Sequence, residues 1–338
     1  MKRYLLKLLA FVSLQCVLAV LLWQDAPQEP RSDHYLAALI DKHEALLHQP
    51  GPRLLIVGGS SAAFGLCSPI FQQKLQLTPV NLGIHGAAGL EFMLRHAERH
   101  ARPGDVILLC PEPMLLAGDR MEPEPSLKTE ILKVWPSGAT YMPQRTTDFS
   151  VAKWKKYFDR LAVEEMQQRL RRGVFDAPKP QAPVRELPPP PSNRAFRYTR
   201  SGFNEFGDMI GHYTEKHKPF DMPRMVQLNE QRVEVAVSRI NRFVENCQRK
   251  EARVFLAYAP LLEGTQPQTA ELHSILGKRL QIPILHHPRE CTFATEDFYD
   301  TPMHLGGEAA KKRSRFLADR LYEQLLVARV SGDSTIRR

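Results

Sequence analysis

Cysteine is scarce in this chain: Cys16, Cys67, Cys110, Cys247 and Cys291 are odd in number and widely spaced, with no Cys-x-x-Cys pair. That pattern excludes a zinc ribbon or a dithiol redox motif and leaves buried free thiols as the expectation for most of them. No phosphate-binding glycine loop occurs, and no His, Cys, Asp and Glu cluster has metal-ligand spacing. Neither a nucleotide nor a metal cofactor is therefore expected. The paired His286-His287 lacks companion ligands and reads as a loop pair. Zinc-finger spacing and RNA-binding signatures are also missing, which sets nucleic acid aside as a partner. The net charge is +9, yet it falls in short clusters at Lys153 to Lys156, Arg169 to Arg172 and Lys311 to Arg315. Solvated helix faces, or a surface near anionic lipid, account for such clusters.

Long apolar runs are limited to one, Tyr4 to Trp23, twenty residues broken only by Lys7, Ser13 and Gln15. About 20 apolar residues span a bilayer, and Lys7 lies near enough to the end to snorkel. No small-x-small cleavage site follows, and Gln15 before Cys16 is a poor lipoprotein box. Lys2 and Arg3 precede the run and Asp25, Glu29 and Asp33 follow it. That asymmetry places the N-terminus in the cytosol and the body outside it. An uncleaved signal anchor is expected over 1–25, with a membrane-proximal spacer and helix over 26–50.

Leu54 to Val57 is a short apolar run that reads as a strand buried on both faces. Helix is expected over His34 to His48, near Pro69 to Leu77 and over Leu90 to His100. Val80 to Gly83 reads as a second short strand and turn, and Val106 to Cys110 as a third strand. This alternation predicts right-handed crossovers and a parallel sheet with helices on both faces, hence an α/β three-layer sandwich. It breaks over residues 117–225, a stretch rich in proline and charge. Within it, Ser150 to Arg172 reads as helical and Pro188 to Pro191 as polyproline II. Arg197 to His212 reads as more ordered. The whole segment is expected to be an insertion over the sheet's carboxyl edge. From 226 to 330 the order returns. Val233, Val237, Ile240 and Val244 mark one helix face, and Val254 to Tyr258 is a strand. A helix from Thr269 to Leu280, a short strand Ile282 to Leu285 and a last helix to about Val327 complete the chain.

Ser60 and Ser61 follow Gly58-Gly59 at the carboxyl end of the first strand, where ligands collect in open parallel sheets. Asp300 and His304 sit in the loop before the last helix and belong at the same edge. A histidine with such a carboxylate can take a serine proton at one ring nitrogen while the acid fixes its tautomer through the other. Each residue alone is weak: a Gly-Ser turn, a loop histidine and a turn-capping aspartate are everyday features. Their joint placement is far more specific.

That joint pattern resembles the SGNH (GDSL-type) hydrolase superfamily. Gly59-Ser60 stands where the family has Gly-Asp-Ser. Asn81-Leu82-Gly83-Ile84-His85-Gly86 resembles its second block, whose glycine N–H serves the oxyanion hole, and Phe298 to Gly307 resembles its last block. The resemblance spans roughly 53–115 and 229–327, covering first and second halves of one domain at 51–116 and 226–330. With one N-terminal span, the plan looks like a membrane-anchored branch that includes the teichoic acid D-alanyl transfer protein and the alginate acetylation proteins. It implies a bacterial inner-membrane protein with a periplasmic body. Esterase or O-acyltransferase chemistry on a surface glycopolymer is implied, beside a multi-pass membrane acyltransferase.

Two departures stand out. The family's third block offers Gly-x-Asn-Asp, with Asn as an oxyanion donor, whereas this strand ends Cys110-Pro111-Glu112-Pro113. Asn81, His85 or a residue of the insertion are the candidates to replace that amide. Three residues separate Asp300 from His304 rather than the family's usual two, which sets Asp297 against Asp300. Ser60 is the expected nucleophile and Ser61 its rival. Backbone N–H groups of Ser60 and Gly83 are the expected oxyanion donors. The chief competing reading is a non-catalytic scaffold of the same fold that binds a polymer or a membrane acyltransferase, and a second is a peptidoglycan-associated binding protein whose insertion carries the contact surface.

Overall fold

The computed structural model describes residues 33–143, 198–221 and 228–330, with isolated positions between 4 and 15. Most of the expected span Tyr4 to Trp23 lies outside the described residues, and the Ser150 to Arg172 helix and the Pro188 to Pro191 run lie entirely outside them. Among the described residues no helix is long and apolar enough to cross a membrane.

In chain order the elements are α1 (Ala38–His48), β1 (Arg53–Gly58), α2 (Ser60–Phe64), α3 (Ser68–Leu75), β2 (Thr78–Asn81), α4 (Leu90–His100), β3 (Val106–Cys110), α5 (Pro113–Leu116) and α6 (Pro125–Val134). After the insertion come α7 (Glu230–Gln248), β4 (Arg253–Leu256), β5 (Leu261–Leu262), α8 (Gln266–Arg279), β6 (Thr292–Phe293) and α9 (Gly307–Val330). Four strands form one sheet in the order β2-β1-β3-β4. All three pairings are parallel, with Ile56 opposite Asn81, Val57 opposite Leu109 and Leu109 opposite Leu256. The chain is thus α/β with a central parallel sheet flanked by helices.

The alternation of each strand builds two cores. Leu55, Val57, Ile107 and Leu109 face a cluster with Leu39 and Leu46 of α1, Phe92 and Leu94 of α4 and the apolar face of α7. Leu54, Ile56 and Leu108 face Phe71 of α3 and Leu317 and Leu321 of α9. Burying one such Leu or Phe side chain stabilises the fold by about 1.5–3 kcal/mol, so covering both faces is the main driving force for this arrangement. In α7, Val233, Val237, Ile240 and Val244 are all buried, and Asn229 caps the first turn by accepting the Arg232 N–H at 3.1 Å.

Three features differ from the sequence reading. The stretch Ile282 to Leu285 pairs with the sheet only through a parallel bridge between Leu256 and Ile284; Pro283 has no N–H to extend the ladder. The stretch expected to open the insertion contributes α6: Leu127, Ile131, Trp135 and Tyr141 join the main core. Pro123 and Pro125 hid that helix, although proline at the first helical positions is favourable. From the basic cluster at Lys311 to Arg315, Arg313 points inward and is 1% exposed.

A second described part of the insertion, 198–221, is tied to the sheet's carboxyl edge by buried polar groups. Asp208 accepts hydrogen bonds from the Ser68 N–H and hydroxyl, both at 2.7 Å, and from Asn81 Nδ2 at 2.8 Å. Lys42 Nζ donates to Asn81 O at 2.8 Å and to Gly207 O. Burial draws Lys42 down from 10.5 to about 7, against an upward pull from Asp208. Between those two values the unfolded chain therefore binds more protons than the folded one, and the Lys42 contribution to stability becomes more favourable as pH rises. The urea midpoint of the wild type relative to Lys42→Met should rise from about pH 7 to about pH 10. A difference that stays constant over that range would show that Lys42 keeps its proton in the core.

Candidate active site

β1 delivers Gly58 beside the Cys110 carbonyl, in a place where a Cβ would collide with that backbone oxygen. Gly59 follows against the carboxyl of Glu112, and a side chain there would overlap both carboxyl oxygens. Small size, rather than positive φ, is what the turn demands: Gly59 has φ −91°. Ser60 then opens α2 and is half-buried, whereas Ser61 is fully buried. The Ser61 hydroxyl has no hydrogen-bond partner. Accessibility therefore favours Ser60 over Ser61 as a reacting group.

Phe64 lies four residues beyond Ser60, on the same face of the helical turn. The ring of His304 stacks on Phe64 with centroids 3.9 Å apart and planes at 13°. The two ends of the chain thus meet within one helical turn. His304 Nδ1 lies 2.9 Å from Asp300 Oδ1, which leaves Nε2 available as an acceptor. Asp297 instead accepts the Ala294 N–H at 3.2 Å and caps a short turn. The three-residue separation is accommodated because Tyr299 N–H donates to His304 O at 2.7 Å and closes the loop.

Tyr198, from the edge of the insertion, was not among the sequence candidates. Its hydroxyl donates to Asp300 Oδ2 and lies 3.2 Å from His304 Nδ1. Burial opposes ionisation of Asp300, but hydrogen bonds from His304 and Tyr198 outweigh it and hold the carboxyl below its ordinary value. Tyr198 also packs edge-on against Phe64 at 5.1 Å. The result is an imidazole fixed on one face by a ring and at one nitrogen by a stable carboxylate.

The turn is braced from below. Arg313 Nη1 donates to Ser61 O at 3.0 Å and Gly65 O at 3.2 Å, and its Nη2 to Tyr258 O at 2.9 Å. Asn81 Nδ2 donates to Ala62 O at 3.0 Å. Gly83, expected to share the oxyanion, instead gives its N–H to Asn81 Oδ1 at 2.9 Å. It must be glycine for another reason: a Cβ would come within 2.7 Å of Ala63 N and 2.8 Å of Gly59 O. Ser61 N–H is likewise taken, by Glu112 Oε1 at 3.0 Å. Ser60 N–H, at the first position of α2, has no carbonyl within the helix to bond.

Of the candidates for the missing amide, Asn81 is fully buried in the bracing network. His85 is part-buried, its Nδ1 accepting the Ala87 N–H at 3.0 Å. Burial, with Arg120 and His304 nearby, lowers its pKa. Tyr35, with ring centroids 6.3 Å from His85 and 6.4 Å from Tyr198, closes the same rim. Among the described residues no group of His, Cys, Asp and Glu is placed to hold a metal ion. His286 and His287 are engaged locally: His286 Nε2 accepts the Tyr258 N–H at 3.2 Å, and His287 caps a short turn. No family model, curated protein or solved structure matches the chain.

Proposed function

We propose that this chain is an SGNH-like serine esterase or O-acyltransferase, with Ser60 as nucleophile, His304 as general base and Asp300 as its orienting acid. The observation that carries the reading is the Asp300–His304 pair at 2.9 Å, stacked on the ring one turn after Ser60. His304 Nε2 takes the Ser60 proton as Oγ attacks an ester carbonyl, and returns it to the departing alcohol. The acyl-enzyme then passes its acyl group to water or to a sugar hydroxyl. The parallel order β2-β1-β3-β4, with these residues at the strands' carboxyl ends, supports an SGNH or flavodoxin-like three-layer sandwich. With Tyr4 to Trp23 as a signal anchor, the body works outside the cytoplasm on a cell-surface or exported polysaccharide. A multi-pass membrane acyltransferase is its proposed partner.

One observation favours the scaffold reading. Where the family places an amide, Glu112 presents a carboxyl to the nucleophile turn, and an ionised carboxylate there would repel an oxyanion. Cells making the wild type, Ser60→Ala or no protein separate the cases through the acylation of their polymer. Transfer predicts lost acylation in both altered strains, and an esterase predicts excess acylation in both. Ser60→Ala indistinguishable from wild type, with the deletion defective, would sink the enzymatic reading in favour of a scaffold.

A further inference from the structure

Rings gather beside the general base in a pattern that the triad chemistry does not need. Tyr198 stands edge-on to His304, with ring centroids 5.8 Å apart, and is 37% exposed. Tyr35 follows at 6.4 Å from Tyr198, and His85 at 6.3 Å from Tyr35. Both are half-buried, so each keeps part of its surface open to solvent. The chain holds the two tyrosines in register. His34 and Thr199 form an antiparallel bridge, while Asp33 accepts the Arg200 N–H on its carbonyl at 2.9 Å and the Ser201 N–H on Oδ1 at 3.0 Å.

Two polar tips of this wall are uncommitted. The Tyr35 hydroxyl makes no hydrogen bond among the described residues. Burial, with the charge of Glu130, pushes its pKa up to about 12, so it stays neutral. His85 Nδ1 accepts the Ala87 N–H, which puts the ring proton of the neutral imidazole on Nε2. The surrounding charges do not suit a polyanion. Arg120 is paired with Glu124 and Arg200 with Asp41. Glu130 acts on both Tyr35 and His85 and has no ion pair among the described residues. Half-open rings with neutral polar tips suit a ligand that is apolar on one face and hydroxylated at its edge. A pyranose is such a ligand, since its axial C–H groups form a face and its hydroxyls a rim.

We propose that Tyr35, His85 and Tyr198 form a subsite for an uncharged pyranose chain, seating one sugar of the glycopolymer beside His304. The inference rests on the serine-hydrolase reading above and narrows its polymer to neutral sugars, rather than uronates or phosphate-linked units. The Tyr35 ring supplies the stacking surface. Its hydroxyl and the His85 Nε2–H bind sugar hydroxyls.

Calorimetric titration of the full-length protein in detergent tests the subsite. The probes are hexamers of glucose, mannose, galactose and N-acetylglucosamine, with hexagalacturonate as the charged control. At least one neutral hexamer should bind, and hexagalacturonate should bind about tenfold more weakly or not at all. Glu130→Gln should narrow that preference. Tyr35→Leu, which fills similar space without a ring, should weaken the neutral hexamer about tenfold. Tyr35→Phe, which keeps the ring, should weaken it only about twofold to fivefold. Binding of no neutral hexamer, tighter binding of hexagalacturonate, or equal affinities for wild type and Tyr35→Leu overturns the proposal. If Tyr35→Leu loses the wild-type melting transition, His85→Leu replaces it: affinity should fall about threefold or more, and no change overturns the proposal. Fluorophosphonate labelling of Ser60 on the same samples keeps the two readings apart. Labelling without hexamer binding removes this subsite and leaves the hydrolase reading standing. Hexamer binding that depends on Tyr35, with Ser60 never labelled, removes the hydrolase reading and leaves a glycan-binding scaffold.

Discussion

Ser60→Ala and His304→Ala should each abolish fluorophosphonate labelling and reduce activated-ester hydrolysis by about 10⁴–10⁶. The two losses should not add, because nucleophile and base act as one unit. Asp300→Asn should cost about 10⁴, since an amide would not hold the Nδ1–H tautomer that the 2.9 Å contact fixes. Tyr198→Phe should cost far less, on the order of the 1.5–3 kcal/mol attached to one hydrogen bond with a charged group. Mass spectrometry of the labelled peptide identifies the site. A probe on Ser61, or labelling that survives His304→Ala, would contradict the assignment made here.

The second large effect lies at the opposite edge of the sheet and concerns stability. Arg53 and Asp105 are 0% and 1% exposed. Arg53 Nε donates to Asp105 Oδ1 at 3.0 Å, and its Nη groups reach Leu46 O and His100 O. The pair thus fastens the ends of α1 and α4 to β1. Asp105 Oδ2 also accepts the Arg102 N–H at 2.8 Å. Arg53→Met should lower the unfolding free energy by about 3–5 kcal/mol, because it strands a buried carboxylate. The double change Arg53→Met with Asp105→Leu should recover much of that loss, as apolar replacement of both partners often does. Urea unfolding read by far-UV circular dichroism measures both. A single-variant loss below about 1 kcal/mol would place the pair among ion pairs that contribute little.

The features readable in the sequence were those set by local patterns. Leu54 to Val57 and Val106 to Cys110 are continuous apolar runs, and only a strand covered on both faces makes use of such a run. The α7 face is visible as four valine and isoleucine positions at helical spacing. Asp300 and His304 are close in sequence, so their pairing needed only a loop. What escaped depends on distant parts of the chain. Tyr198 sits beside a proline-rich stretch with no periodicity, and its two partners lie more than a hundred positions away. Nothing local distinguishes Arg313 from the solvated bases around it; only the carbonyls of α2 and Tyr258 explain its burial. The Gly83 N–H shows the converse. Its position in the motif was legible, but the Asn81 side chain that claims it was not.

The bracing of the nucleophile turn has a consequence for the order in which the molecule becomes competent. Synthesis runs from the N-terminus, and domains fold as their parts emerge. Ser60 is made early, whereas the Arg313 to Ser61 hydrogen bond closes a separation of 252 positions. Closing so long a loop is late by entropy as well as by synthesis. On the proposed mechanism a nascent chain therefore carries an unarmed hydroxyl until Asp300, His304 and Arg313 have all been made. Chemistry at Ser60, as proposed, would in this sense wait for α9 to be made and docked beneath the turn.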